Sequence, residues 1–342
     1  MAVDRRAVLT AMLVTTMFQS GCAKAAKRAP SPPAPRAWAL FAARFLAPEG
    51  RIVDTGNGGI SHSEGQGYGM VLAEAAGDRA SFDRLWTWTE GNLARKDIRL
   101  FSWRYDPKAM PQITDPNNAT DGDILIAWAL LRAADRWGVP AFAEASRAIR
   151  DAILKNLVKP VANRIVLLPG LQGFLTGDVA TINLSYYIWP ALDAFRKADG
   201  AGWAGIITDG QAILARARFG AHQLPSDWID LRPNDVIMPA AGRPARFGFD
   251  AVRIPLYLYW GKRDAALQPF RAYWMPFKAA NQMPPAWTDV LTGEIAPYPL
   301  SPGGMALAAT VMIRKAPDAP TLPDDYFAAV LTVLSQAAAN AR

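Results

Sequence analysis

Apolar positions recur with a helical period along most of the chain. The spacing predicts helices near residues 37–47, 64–76, 80–95, 121–137, 140–156, 182–198, 203–218, 250–261, 263–275, 302–314 and 324–341. Segments dense in Gly, Pro and Asn separate them at 54–61, 106–119, 159–180, 225–248 and 284–301. Alternation with a period of two is scarce, and Arg164–Leu168 is the best candidate for a short strand. No shift in composition after residue 36 marks a domain boundary, so 37–342 reads as one all-α domain. So many helices in one block fit a toroid of helix pairs. A solenoid would need a repeat of about 34–47 residues, and none is visible. In a toroid, loops at one end of the inner helices form the groove, so polar residues at helix starts are the candidates for chemistry.

The first 36 residues break this pattern. Arg5 and Arg6 precede an apolar stretch from Ala7 to Phe18, too short for a comfortable transmembrane helix. Residues 1–22 therefore read as a secretory signal, and the mature protein as exported, periplasmic or secreted. Two refinements stand open. The arginine pair resembles a twin-arginine signal, and Ser20-Gly21-Cys22 resembles a lipoprotein cleavage site that would place a lipid anchor on Cys22. Residues 23–36, rich in Ala, Pro and Lys, read as an extended tether.

Charge and composition narrow the function. Of the formal +7, residues 1–36 carry +5, which leaves a nearly neutral body without the footprint of a nucleic-acid binder. One cysteine excludes an intrachain disulfide framework, and two histidines, His62 and His222, leave little for a metal centre. No cofactor or metal is expected. Catalysis then falls to carboxylates, hydroxyls, Lys, Arg or Tyr. The chain has 12 tryptophans, most of which a core would absorb, but indoles also stack well on flat pyranose faces.

Three helix starts carry acidic residues. Ser63 to Gln66 has the form of a capping box and places Glu64 in a first turn. Capping alone would not need Gly65, Gly67 and Gly69, each costing about 1 kcal/mol relative to Ala in a helix. They make sense where another backbone or a ligand approaches closely. At the second start Thr120 reads as the N-cap, with Asp121 and Asp123 in the first turn. Capping and function account for this pair equally well. At the third start Asp250 stands at an N-cap or first-turn position, Arg253 reaches the same helix end, and Pro255 predicts a distorted first turn. Read alone, this is a capped helix.

Together these motifs resemble glycoside hydrolase family 8. Ala119-Thr120-Asp121-Gly122-Asp123, continued by Ile126-Ala127, Ala129-Leu130-Leu131, Ala133 and Trp137, is similar to that family's signature. Glu64 in Ser-Glu-Gly-Gln-Gly-Tyr-Gly-Met matches its proton-donor motif, and Asp250 in Phe-Asp-Ala-Val-Arg its general-base motif. Arg51-Ile52-Val53-Asp54 and Asp227-Trp228 look most like the endoglucanases encoded beside bacterial cellulose synthases. The likeness spans roughly residues 37–315.

The resemblance implies an (α/α)6 barrel that cuts a β-1,4-glucan chain with inversion. Glu64 would protonate the leaving oxygen and Asp250 would activate water. Asp121 would bind the distorted ring, though an older reading of the signature makes it the nucleophile. Trp103 would stack on a glucose ring, Tyr186 would line the cleavage subsite, and Arg253 would hold a polar position near Asp250. Phe249 departs from the family, which usually has Tyr there. The acid's surroundings are expected to raise its pKa. The implied partners are the glucan and the cellulose synthase complex. Two alternatives differ in class: the same fold acting on chitosan, xylan or mixed-linkage glucan, and a non-catalytic glucan-binding part of a cellulose-export machine.

Overall fold

A computed structural model describes residues 36–314 and 321–342, so the leader, Cys22 and nearly all of the tether lie outside the described residues. Eleven α-helices are present among them. They are α1 (Arg36–Phe45), α2 (Ser63–Ala76), α3 (Arg79–Asn92), α4 (Thr120–Trp137), α5 (Pro140–Asn156), α6 (Trp189–Asp199), α7 (Ala204–Arg216), α8 (Ile254–Trp260), α9 (Gln268–Ala279), α10 (Pro302–Ile313) and α11 (Tyr326–Asn340). None is long and apolar enough to cross a membrane.

Burial patterns sort the helices into two layers. In α4 every residue from Thr120 to Leu130 is buried, as an inner helix requires. Its neighbour α5 buries only Phe142, Ser146, Ile149, Arg150 and Ile153, one stripe of an outer helix. Helices α2, α4, α6, α8, α10 and α11 pack side to side into a closed inner ring, with α1, α3, α5, α7 and α9 outside it. This is the (α/α)6 barrel. The inner helices run in one direction. The N-terminal halves of α10 and α11 touch, because a Cβ on Gly303 would lie 2.0 Å from the Ala328 carbonyl oxygen. At the far end Arg314 and Arg342 both pair with Asp264.

The expected helices largely coincide with the observed ones, with informative departures. The expected helix 182–198 begins only at Trp189. Asn183 ends the strand Val179–Ile182, and its Oδ1 accepts Ser185 N–H and Oγ–H, turning Leu184–Tyr186 into a short 3-10 turn. At the third start a 3-10 turn, Ala251–Arg253, precedes α8, and Pro255 stands near the helix start where its missing N–H costs nothing. The loops 159–180 and 225–248 contain strands absent from the local pattern. Leu175–Thr176, Val179–Ile182, Ile229–Arg232 and Val236–Pro239 form an antiparallel sheet in that order. The expected strand near Arg164–Leu168 is present as Arg164–Leu167, paired with Val158–Val161.

Candidate active site

The starts of α2 and α4 and the turn Leu184–Tyr186 open on a cleft of about 490 Å³, lined by Asp54, His62, Glu64, Trp103, Asp121 and Tyr186 among others. A second hollow of about 520 Å³ lies at the far end, around Leu214, Leu258, Phe270 and Lys262. Asp264 is the one carboxyl lining it, so it lacks the paired acids that hydrolysis needs.

Helix α2 presents Glu64, but not through the expected capping box. His62 is the N-cap, and its Nδ1 accepts the Gly65 N–H at 2.9 Å. The ring proton is thereby assigned to Nε2, which faces Asp54 Oδ2 at 3.3 Å. Ser63 Oγ has no hydrogen-bond partner among the described residues. Gln66 instead turns inward, accepting from Ile52 N and donating to Gly50 O and Thr89 Oγ1. The glycines serve packing: a Cβ on Gly67 would lie 2.4 Å from Leu125 Cβ. The close approach is thus by a neighbouring helix.

Helix α4 presents Asp121. Ala119, not Thr120, is its N-cap, because Thr120 Oγ1 donates to Leu168 O instead. The two acids of this start divide their work. Asp123 points away from the cleft and accepts from Phe101 N at 2.9 Å and Asn118 Nδ2 at 2.7 Å. Burial pushes its carboxyl up to about 7 against those two bonds. Asp121 Oδ1 accepts its neighbour Gly122 N–H, while the buried Oδ2 accepts no N–H bond and faces Arg253 and Glu64.

Arg253, 3% exposed, joins the three starts. Its Nη1 lies 2.8 Å from Glu64 Oε2 and 3.6 Å from Asp121 Oδ2, and its Nη2 lies 2.6 Å from Asp250 Oδ1. Nη1 also donates to Tyr68 OH, which shares a 2.7 Å hydrogen bond with Tyr257 OH. One guanidinium therefore spaces the carboxylates of α2 and of the turn before α8 by its own width.

The electrostatics correct one expectation. Burial raises Glu64, but Arg253, His62 and a hydrogen bond with Asp121 outweigh it and hold Glu64 below the usual range. Burial and the Glu64 charge push Asp121 well above its ordinary value. The Glu64–Asp121 pair thus holds one proton between its members, because two buried carboxylates in contact cannot both ionise cheaply.

Tyr186 reaches the cleft from the turn that Asn183 shapes. Burial and the charges of Asp121 and Asp250 raise its hydroxyl well above the ordinary value. Trp103 lies half-buried in the cleft wall, its Nε1 bonded to Asp115 Oδ2 at 2.7 Å. Phe249 is 55% exposed and meets Phe327 edge-on at 6.0 Å. Trp228 is engaged by Phe174, stacked at 5.7 Å, and by Arg243 at 4.0 Å from its ring.

Sequence reasoning missed Tyr68, Tyr257, His62, Asp54 and Tyr326 as members of the site. Tyr68 follows Glu64 by four residues, and Tyr257 follows Arg253 by four, so each shares a helix face with a residue already singled out. His62 enters the sequence reading only as one of two histidines too few for a metal centre. No local signal marks Tyr326, whose ring lies edge-on to His62 from α11.

Comparison with known proteins agrees with this geometry. The family description "glycosyl hydrolases family 8" matches residues 1–341. A probable endoglucanase of Novacetimonas hansenii is 43% identical over 88% of this chain and 91% of its own length. An endoglucanase of Cellulomonas uda is 45% identical over 87% of this chain and 81% of its own. The crystal structure of endoglucanase Cel10 from Klebsiella pneumoniae superposes with a TM-score of 0.86 at 44% identity, covering 89% of this chain and 99% of that one.

Proposed function

The chain belongs to glycosyl hydrolase family 8, and from that premise we propose that it is an endo-β-1,4-glucanase acting on cellulose-type glucan with inversion of configuration. The observation that carries this reading is Arg253, which holds Glu64 and Asp250 on different nitrogens beside Asp121. Inversion needs two carboxyl groups about 6.5–9.5 Å apart with water between them. Carboxylates held 2.8 and 2.6 Å from the two Nη atoms can stand at such a separation, and the anomer of the first product decides between inversion and retention.

In the proposed reaction a glucan chain lies in the cleft with one ring against Trp103. Asp121 and Tyr186 grip the ring at the scissile bond. Glu64 protonates the leaving oxygen. Its proton is the one that the two buried carboxyls of Glu64 and Asp121 share in the free protein. Asp250, oriented by Arg253, takes a proton from the water that attacks the opposite face. Reducing-sugar release from carboxymethylcellulose by the protein and by Glu64→Gln tests the reading. The variant cannot donate a proton, so hydrolysis should fall by about 10²–10⁴-fold. Near-normal release from a folded variant would remove Glu64 from the role.

We place the enzyme outside the cytoplasm and beside bacterial cellulose synthesis. The leader at 1–22 and the motifs Arg51–Asp54 and Asp227-Trp228 support this. If Cys22 carries a lipid anchor, Cys22→Ser should move the protein from membranes to the soluble periplasmic fraction. An unchanged, already soluble distribution would eliminate the anchor. Co-purification with the synthase complex tests the partner.

A further inference from the structure

Asp227 precedes the strand Ile229–Arg232, and its backbone N–H donates to Arg246 O at 2.6 Å. Its side chain reaches further. Oδ1 accepts two backbone N–H bonds, from Gly248 at 3.0 Å and from Ala251 at 2.7 Å. Those two residues bracket Phe249 and Asp250. The other oxygen lies against Gly248, where a Cβ would come within 2.8 Å of it. One carboxyl thus ties both ends of a four-residue segment to the preceding sheet, and Asp250 rides on that segment. Asp250 makes no capping bond of its own and starts a 3-10 turn rather than a regular helix. Its direction therefore depends on Arg253 and on whatever holds the segment.

We infer that Asp227 is the positioning residue of the general base, clamping the Gly248–Ala251 segment so that Asp250 faces the cleft. The inference rests on the assignment of Asp250 as that base.

The chemistry of the pair separates the two aspartates. Burial and the nearby Asp250 charge push Asp227 up to about 7, despite the two N–H bonds and the attraction of Arg253. Two neighbouring arginines stack on indole rings, Arg246 over Trp287 at 3.6 Å and Arg243 over Trp228 at 4.0 Å. Below about pH 7 Asp227 is therefore protonated. A protonated carboxyl still offers a carbonyl oxygen to both N–H groups. The clamp needs an oxygen at that place and no charge, whereas a base needs the charge.

Asp227→Asn, Asp227→Ala and Asp250→Asn distinguish these demands, with kcat and KM measured on a soluble cello-oligosaccharide across pH in the full-length protein. The amide of Asp227→Asn supplies the same acceptor, so below pH 7 its kcat should stay close to that of the unmodified protein. The ratio of the two rates should depart from that value only above pH 7, where the native carboxyl ionises. Asp227→Ala releases the segment. A misplacement of about 1 Å costs on the order of 10²-fold, so kcat should fall by about that much with KM little changed. Circular dichroism confirms that each variant is folded. An Asp227→Asn protein as inactive as Asp250→Asn would overturn the inference, because charge and not position would then matter. Unreduced kcat in Asp227→Ala would overturn it as well. Full activity in Asp250→Asn would instead defeat the assignment of the base itself.

Discussion

Gly122 of α4 lies so close to Ser63 of α2 that a Cβ on it would come within 2.2 Å of Ser63 Oγ and 2.8 Å of Glu64 N. This contact places Asp121 beside Glu64, so the proton-sharing pair is a consequence of helix packing. In a free helix Gly→Ala stabilises by about 1 kcal/mol. Here the opposite sign is expected: Gly122→Ala should destabilise by about 1–3 kcal/mol through overpacking. It should also lower hydrolysis by pushing the first turns of α2 and α4 apart. Thermal unfolding and initial rates check both, and an Ala variant of raised stability and full activity would refute the packing argument.

Asp123 predicts a pH dependence of stability. Its carboxyl, raised by burial to about 7, binds its proton more tightly folded than unfolded, where the value is about 3.9. Its contribution is fully present below pH 4 and is lost as pH rises through 7. Asp227 adds a contribution of the same sign over the same window. Asp54, Asp78 and Asp199 act oppositely. Although burial opposes it, their hydrogen bonds hold them below the ordinary value, so their contributions are lost as pH falls below 4. Denaturant unfolding should therefore show stability declining from about pH 5 to pH 8. Asp123→Asn should flatten part of that slope, and an unchanged slope would count against a buried acid at this position.

The capping role of His62 gives a third test. His62→Ala removes the acceptor for Gly65 N–H and should cost about 1 kcal/mol, with loss of activity because Glu64 stands in that turn. His62→Asn supplies another good cap and should recover most of the stability. Equal stability losses in the two variants would show that the imidazole contributes something other than its acceptor.

Much of this was legible locally, and the failures have physical causes. The first-turn positions of Glu64 and Asp121 follow from helical periodicity and the polar residues that interrupt it, whereas Asp250 stands at the N-cap of a 3-10 turn that precedes α8. The caps were misread because side chains suited to capping found longer-range partners: Thr120 turned to Leu168, and Gln66 to Ile52 and Thr89. The four-stranded sheet was invisible because its strands are short and its central pairing joins Ala180 to Leu231, far apart in the chain. The central place of Arg253 could not be seen either. It arises where α2, α4 and the turn before α8 meet, which no single segment encodes. The expected rise in the Glu64 pKa failed for the same reason, since Arg253 and Asp121 reverse the effect of burial.

Phe249 offers a fourth test. Its ring is half-exposed and packs edge-on against Phe327, so its exposed side has room for a hydroxyl. Phe249→Tyr should leave stability unchanged and hold or raise turnover by adding a hydrogen-bonding group near Asp250. A substantial loss of turnover would show that the site is packed around the phenyl ring.

We propose that Asp250 activates water directly, while Asp121 binds the distorted ring and forms no covalent bond to it. If so, cleavage of a β-linked glucan releases the new reducing end as the α-anomer. A covalent role for Asp121 would require two displacements and give the β-anomer, with that carboxyl about 5–5.5 Å from Glu64. Proton NMR of the first products formed from a cello-oligosaccharide, recorded before mutarotation, reads the outcome. The expected product is the α-anomer, and an initial β-anomer would contradict direct attack by water.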